Sequence, residues 1–393
     1  MKRLVIAGGG FAGFWSAVSA VRQASRLNRR EALDIMVINR DGYLGIRPRF
    51  YEASFVSARV TLAKWLDPLG VDLVVGEIID VSPAARYVRL EDGRTVAYDR
   101  LILATGSRLN PPTALRTGSF FSTDTFEEAA ALDRHLRALA ASGFPTPASR
   151  TFVVVGGGLT GLELVTALPD RLARLAPSHS GFTFHLVEHA PDIGLAYAPD
   201  ARRHIAERLQ HLGIAVHAGQ DVVCYEDGQM TLTTNKRLST QTVIVATGVT
   251  ASPLGRAFCG SRDELGRLQV DAYLRLPEHP EVLAAGDAAL ARTDPDHWAL
   301  MSCQHAMVQG KFAGHNAVNM LFDEDPIPYG QPLYRTCLDL GPGEALATAG
   351  WDRRLRRTGV EAKSLKTEIL TEWIYPPTDI AKTLAMAEPA IVS

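Results

Sequence analysis

Residues 4–13 read Leu4-Val5-Ile6-Ala7-Gly8-Gly9-Gly10-Phe11-Ala12-Gly13. The four apolar residues suit a parallel strand covered on both faces. The next six spell G-x-G-x-x-G, and small residues Ala17 and Ala20 follow on a helical pattern. Between strand and helix each glycine has a task. Gly8 makes the tight turn, Gly10 lets a pyrophosphate approach the backbone, and Gly13 lets helix and strand touch. The helix opening at Phe11 and Ala12 presents free N–H groups to the phosphates. Asp34-Ile35-Met36-Val37-Ile38 predicts the second strand, closed by Asn39 and Arg40 where a ribose would lie.

The pattern then repeats. Thr151 to Val155 leads into Gly156-Gly157-Gly158-Leu159-Thr160-Gly161, and a strand from Phe182 to Val187 ends at Glu188. Two fingerprints about 150 residues apart predict two dinucleotides. A carboxylate closing the second strand accepts from both ribose hydroxyls and repels a 2′-phosphate. Glu188, with no arginine after it, therefore favours NADH over NADPH. At the first unit Asn39 stands where the acid is usual.

Composition narrows the class. The chain has 393 residues, 46% hydrophobic and 21% charged, with net charge −2. This is globular composition of two to three domains, without the basic field of nucleic-acid binders. The four cysteines, Cys224, Cys259, Cys303 and Cys337, show no C-x-x-C spacing, which argues against a zinc ribbon or disulfide scaffold, and no metal site is expected. The N-terminus lacks a signal-peptide pattern, and no run of about 18 apolar residues could span a bilayer. The expectation is a cytoplasmic protein.

Further landmarks follow in order. Tyr98 to Leu103 ends in Ala104-Thr105-Gly106, and Thr242 to Val245 ends in Ala246-Thr247-Gly248. Val282 to Ala285 runs into Gly286-Asp287. With these five motifs, residues 1–335 resemble the two-dinucleotide-binding flavoprotein superfamily, the glutathione-reductase-like fold. The resemblance implies an α/β fold with two Rossmann-like domains. Residues 1–112 and 251–335 would bind FAD non-covalently through Gly8, Gly10, Phe11, Ala12, Gly13, Asn39, Arg40, Ala104, Thr105, Gly106, Gly286 and Asp287. The inserted residues 113–250 would bind NAD(H) through Gly156, Gly158, Leu159, Thr160, Gly161, Glu188, Ala246, Thr247 and Gly248. Thr125 to Glu128 reads as a capping box opening a helix through about Ala141. Residues 336–393 form a small C-terminal α+β unit, with a hairpin around Gly350-Trp351-Asp352 and an amphipathic segment from Ser364 to Tyr375.

Within that superfamily, residues 42–52 carry no redox cysteine, and the monooxygenase motif F-x-G-x-x-x-H is missing. Arg47-Pro48, Ala97 to Ser107, Gly156 to Glu163 and Cys303-Gln304-His305-Ala306-Met307-Val308-Gln309 resemble type II NADH dehydrogenases. The resemblance implies hydride transfer from NADH to FAD and two electrons passed on to a quinone-type acceptor. It places Gln304 at the acceptor pocket and Glu163 as a proton-relay residue. Arg47 and Pro48 would sit beside the flavin, with the amides of Gln304, His305 and Ala306 at a helix start facing its ring. His305 could deliver a proton. Glu163, placed in the first turn of its helix, could instead complement the helix dipole. Two departures stand out: Gln304 and Gln309 are five apart where the family has four, and the tail is short. The inner face of the cytoplasmic membrane is thus a second location to weigh, with Arg353, Arg354, Arg356 and Arg357 as lipid contacts or a solvated edge. The rival readings are a soluble reductase of an electron carrier or small oxidant, and an NADH-responsive flavoprotein read by a partner. The assembly stays open, a homodimer included.

Overall fold

The strand Lys2–Ala7 is buried along Leu4–Ala7, and it has neighbours on both sides. The computed structural model, which describes residues 1–116 and 119–391, places it near the centre of a six-stranded sheet. Strand order is Arg275–Leu276, His279–Ala284, Arg100–Leu103, Lys2–Ala7, Leu33–Asn39 and Asp72–Val75. All pairings are parallel except that of the short edge strand Arg275–Leu276. Residues 275–284 therefore return to the sheet that residues 2–7 began. The first dinucleotide helix, Phe11–Arg26, covers one face.

The second sheet repeats the arrangement with four parallel strands in the order Ile214–Ala218, Thr183–Glu188, Thr151–Val155 and Thr242–Val245. Its dinucleotide helix is Leu159–Leu175. The helix Phe126–Ala141 carries the expected capping box: Thr125 accepts from the Glu128 amide, and Glu128 accepts from the Thr125 amide. The chain crosses between the sheets at Ser107–Leu109 and Val249–Ala251, and these two segments pair antiparallel. This makes the second unit an insertion in the first.

The C-terminal unit contains the expected hairpin, Ala345–Ala349 and Arg354–Thr358, plus a third strand, Arg335–Asp339, that the sequence pattern did not reveal. The amphipathic segment is longer than expected. It begins as the helix Gly359–Glu368 and continues as a π-helical turn, Ile369–Trp373; a final helix, Ile380–Met386, was not foreseen.

The long helix Cys303–Leu321 packs directly on Phe11–Arg26. The reason is small residues at the contact: a Cβ on Gly310 would stand 2.3 Å from the Ala12 carbonyl oxygen, and one on Gly314 2.1 Å from that of Ser16. Gly314→Ala gains about 1 kcal/mol of helix propensity but must push the paired helices away from each other, at roughly 1–3 kcal/mol or more. We expect a lower thermal-unfolding midpoint for this variant; an unchanged or raised midpoint would refute the close-packing argument.

Candidate active site

The two glycine loops are geometric copies. Gly8 and Gly156 both have φ +107°, and a Cβ on either would strike the carbonyl of Ala104 or Ala246. A Cβ on Gly13 or Gly161 would lie 1.8 Å from the oxygen of Gly8 or Gly156. Gly10 and Gly158, by contrast, face open space, and neither helix start has a side-chain cap. Each loop is shut where chain meets chain and open where a phosphate would approach. The strand-closing residue is also equivalent. Asn39 Oδ1 accepts from the Gly9 amide at 2.9 Å, and Glu188 Oε2 accepts from the Gly157 amide. Arg40 is exposed.

The second loop opens on a cavity of about 460 Å³ lined by Gly156, Gly158, Leu159, Thr160, Glu188, Ala246, Thr247 and Gly248. Pro112, His189, Gln220 and Asp221 belong to the same wall.

At the first unit, Ala104, Thr105 and Gly106 follow the strand beside the loop, and Asp287 faces the same end. Asp287 Oδ2 accepts from Ser107 Oγ at 2.6 Å and lies 3.9 Å from Arg47. Arg47 also donates to Ser107 Oγ and pairs with Asp124. It is half-buried among these groups, with Pro48 beside it, and is not a simple surface ion pair. An open uncapped loop, a polar strand end and a carboxylate at Gly286-Asp287 fit the pyrophosphate and ribityl chain of FAD.

The long helix meets this end with its N-terminus. Ser302 caps it by accepting from the His305 amide, and the Ala306 amide donates to the Ser302 carbonyl. The amides of His305 and Ala306 are thus taken, a correction to the expectation that they face a ring. Gln304 is half-buried, and among the described residues its side-chain amide has no partner. His305 is buried, with Nδ1 2.9 Å from Ser302 Oγ, and its ring stacks on Tyr334. Burial pushes its pKa down to about 4. It is a neutral packed ring near neutral pH, which suits packing rather than proton delivery. Gln309 accepts from the Gly286 amide at 2.7 Å. The five-residue spacing thus makes the second glutamine a brace for the Gly-Asp loop.

Glu163 departs most from expectation. It is the fifth helical residue, beyond the first turn, so the helix-dipole reading does not apply. Its Oε1 pairs with Lys366 Nζ at 2.6 Å and accepts from the Asp339 amide. Both side chains are less than 10% exposed. Burial raises the Glu163 carboxyl from its ordinary range, against the pull of Lys366. Burial also disfavours the Lys366 charge, but Glu163 more than offsets this and holds the ammonium above its usual range. Alongside, the Asp339 carboxylate accepts from Lys363 Nζ and from Tyr51 Oη at 2.9 Å. Tyr51, Asp339, Lys363 and Lys366 escaped the sequence reading. No local signal marks them: a lysine in an amphipathic segment reads as solvated.

Through Asp339 the cluster reaches Tyr51 of the first unit, and the thiol of Cys303 lies at the start of the long helix. Burial raises that thiol to about 11, so it is no thiolate near neutrality. The four cysteines are free. The arginine patch also resolves: Arg354 pairs with Asp352, Arg357 with Glu361, and Arg353 turns over Tyr197 and Tyr334.

The chain belongs to the pyridine nucleotide-disulphide oxidoreductase family, whose model matches residues 2–310. It is an FAD-dependent NAD(P)H oxidoreductase of the NADH dehydrogenase-like kind, without the redox cysteines. An NADH dehydrogenase-like protein of Mycobacterium tuberculosis is 39% identical over 397 aligned residues, covering 100% of this chain and 99% of that one. The type II NADH:quinone oxidoreductase Ndh of the same organism is 29% identical, over 75% of this chain and 68% of its own. The sulfide:quinone oxidoreductase of Aquifex aeolicus shares the fold, with a TM-score of 0.75 at 17% identity over 99% of this chain and 92% of that one.

Removing one member of a buried ion pair strands the other. Lys366→Met should cost about 3–5 kcal/mol in chemical denaturation of the flavin-loaded protein. Lys366→Met combined with Glu163→Leu should recover most of that loss. A single variant within about 0.5 kcal/mol of the parent would show the pair to be solvated.

Proposed function

We propose that the chain oxidises NADH in preference to NADPH and passes two electrons to a quinone-type acceptor. The observation that carries this is the buried Glu163–Lys366 pair, which joins the second dinucleotide helix to the C-terminal helix and links through Asp339 to Tyr51 of the first unit. Reducing a quinone consumes two electrons and two protons, and this pair holds a proton in a dry site. Bound FAD would accept the electrons of NADH and release them to the acceptor.

The chain's own residues do the rest. Gly8, Gly10, Phe11, Ala12 and Gly13 seat the FAD pyrophosphate, with Asn39 fixing the loop and Asp287 at the ribityl chain. Arg47 lends positive charge at the flavin end, where reduction develops negative charge. Gly156, Gly158 and Gly161 seat the NADH pyrophosphate, and Glu188 meets the ribose. Gln304 offers a free amide to the acceptor. Glu163 and Lys366 hold and move the proton at Oε1 and Nζ. With every cysteine unpaired and Cys303 protonated, no thiol relay competes.

A position against a lipid surface fits the C-terminal unit. Among the described residues no helix is long and apolar enough to cross a membrane. Yet Val360, Trp373 and Met386 stand exposed there, and Met386 lines a second cavity of about 380 Å³ with Trp65, Tyr375, Pro376 and Pro377 as well as Lys64 and Glu372. Exposed tryptophan and methionine, with a lysine at the groove, suit interfacial contact. The carrier-protein alternative would need a basic docking patch, and of its arginines Arg353 turns inward while Arg354 and Arg357 pair with Asp352 and Glu361.

Anaerobic stopped-flow at the flavin absorbance band separates the two half-reactions. NADH should bleach the flavin faster than NADPH, and a quinone should restore it. Glu163→Gln should slow restoration by a quinone roughly 100-fold, the usual scale for a lost proton-transfer group, while bleaching by NADH changes far less. Equal slowing of both halves, or restoration by a carrier protein but by no quinone, would sink the proposal.

A further inference from the structure

The adenosine end of the NADH cleft holds a second acidic residue. Asp221 lines the same cavity as Glu188 but comes from the segment after the strand Ile214–Ala218. Its two carboxylate oxygens each stand 2.9 Å from His189 Nδ1. His189 directly follows Glu188 and lines the cavity too. Asp221 is fixed in place: its amide donates to Thr233 Oγ1, and its carbonyl accepts from the Thr233 amide at 3.0 Å. Glu188 is equally fixed, accepting from the amides of Gly157 and Ala190. The ribose end therefore has two carboxylates on anchored backbone, one of them paired with the imidazole of His189.

An imidazole beside a ribose is a hazard for selectivity. Protonated and free, it is a cation well placed to receive a 2′-phosphate. Paired with Asp221 it adds no net positive charge, and the edge keeps the negative charge of Glu188. The charged groups facing His189 are these same two carboxylates, and both favour its protonated form.

We propose that Asp221 is a selectivity residue. By pairing with His189 it cancels the imidazolium charge at the ribose edge, so that the cleft takes a dinucleotide whose adenosine ribose carries free hydroxyls. This rests on the reading of Glu188 as the ribose-contacting carboxylate. Selection is then shared by two acids from different strand ends, and His189 is the element they restrain.

The test is calorimetric binding of NAD+ and NADP+ to the flavin-loaded full chain, read as the ratio of Kd for NADP+ to Kd for NAD+. In Asp221→Asn the freed imidazole returns towards its ordinary pKa of about 6.5. The ratio should fall about fivefold near pH 6, where the ring is charged, and scarcely move near pH 8. Adding His189→Ala to Asp221→Asn should abolish the fall. Combining Asp221→Asn with His189→Arg, whose charge does not titrate in this range, should lower the ratio at both pH values. The proposal is overturned if Asp221→Asn leaves the ratio unmoved near pH 6, or lowers it equally when His189 is absent. Glu188→Gln separates the two readings. A ratio that falls there but not in Asp221→Asn removes Asp221 alone. A ratio that Glu188→Gln leaves unmoved removes the ribose reading and this proposal with it.

Discussion

Taking an ammonium and a carboxylate out of water is costly, and the cost is recovered only when each is the other's close partner. The Lys366–Glu163 pair meets this condition at 2.6 Å, and it joins residues 203 positions apart. The C-terminal helix is thereby tied to the second dinucleotide helix. Through Asp339 and Tyr51 the same network reaches the first unit. Three units converge on one dry polar junction, so the relative placement of the two nucleotide clefts depends on that pair.

The duplicated glycine loops show how one backbone solution serves two ligands. In both, the closed contacts fall at the first and third glycines and the open space at the second. What differs is the residue that closes the strand. Asn39 and Glu188 each accept from the loop amide, but only Glu188 brings a carboxylate to that position. On the proposed reading that charge is what lets the second cleft discriminate among mobile dinucleotides.

Much of the fold was legible in the sequence because its signals are local. The strand–glycine–helix units, the capping box at Thr125–Glu128 and the hairpin at Gly350–Asp352 each depend on residues within a few positions of one another. Gln309 was partly legible too, since its five-residue offset from Gln304 announced a different task, though not that it would brace Gly286. The readings that moved were those resting on long-range partners. Glu163 looked like a dipole-complementing or relay carboxylate with no partner in view. His305 read as a candidate proton donor, and Tyr334 and Ser302 instead pack its ring. The run Arg353–Arg357 looked like one patch, until Arg353 turned over Tyr197 and Tyr334 while Arg354 and Arg357 paired with Asp352 and Glu361.

The amino-acid sequence by itself determined the two strand–glycine–helix units and the lack of a closely spaced cysteine pair, because glycine spacing and the absence of sulfur act over a single turn of chain. Only the tertiary structure decided which charges are buried, which imidazole is packed away and that Asp221 lines the same cleft as Glu188. Burial and ion pairing belong to groups brought together from distant segments, and their energies depend on a surrounding dielectric that no stretch of sequence contains.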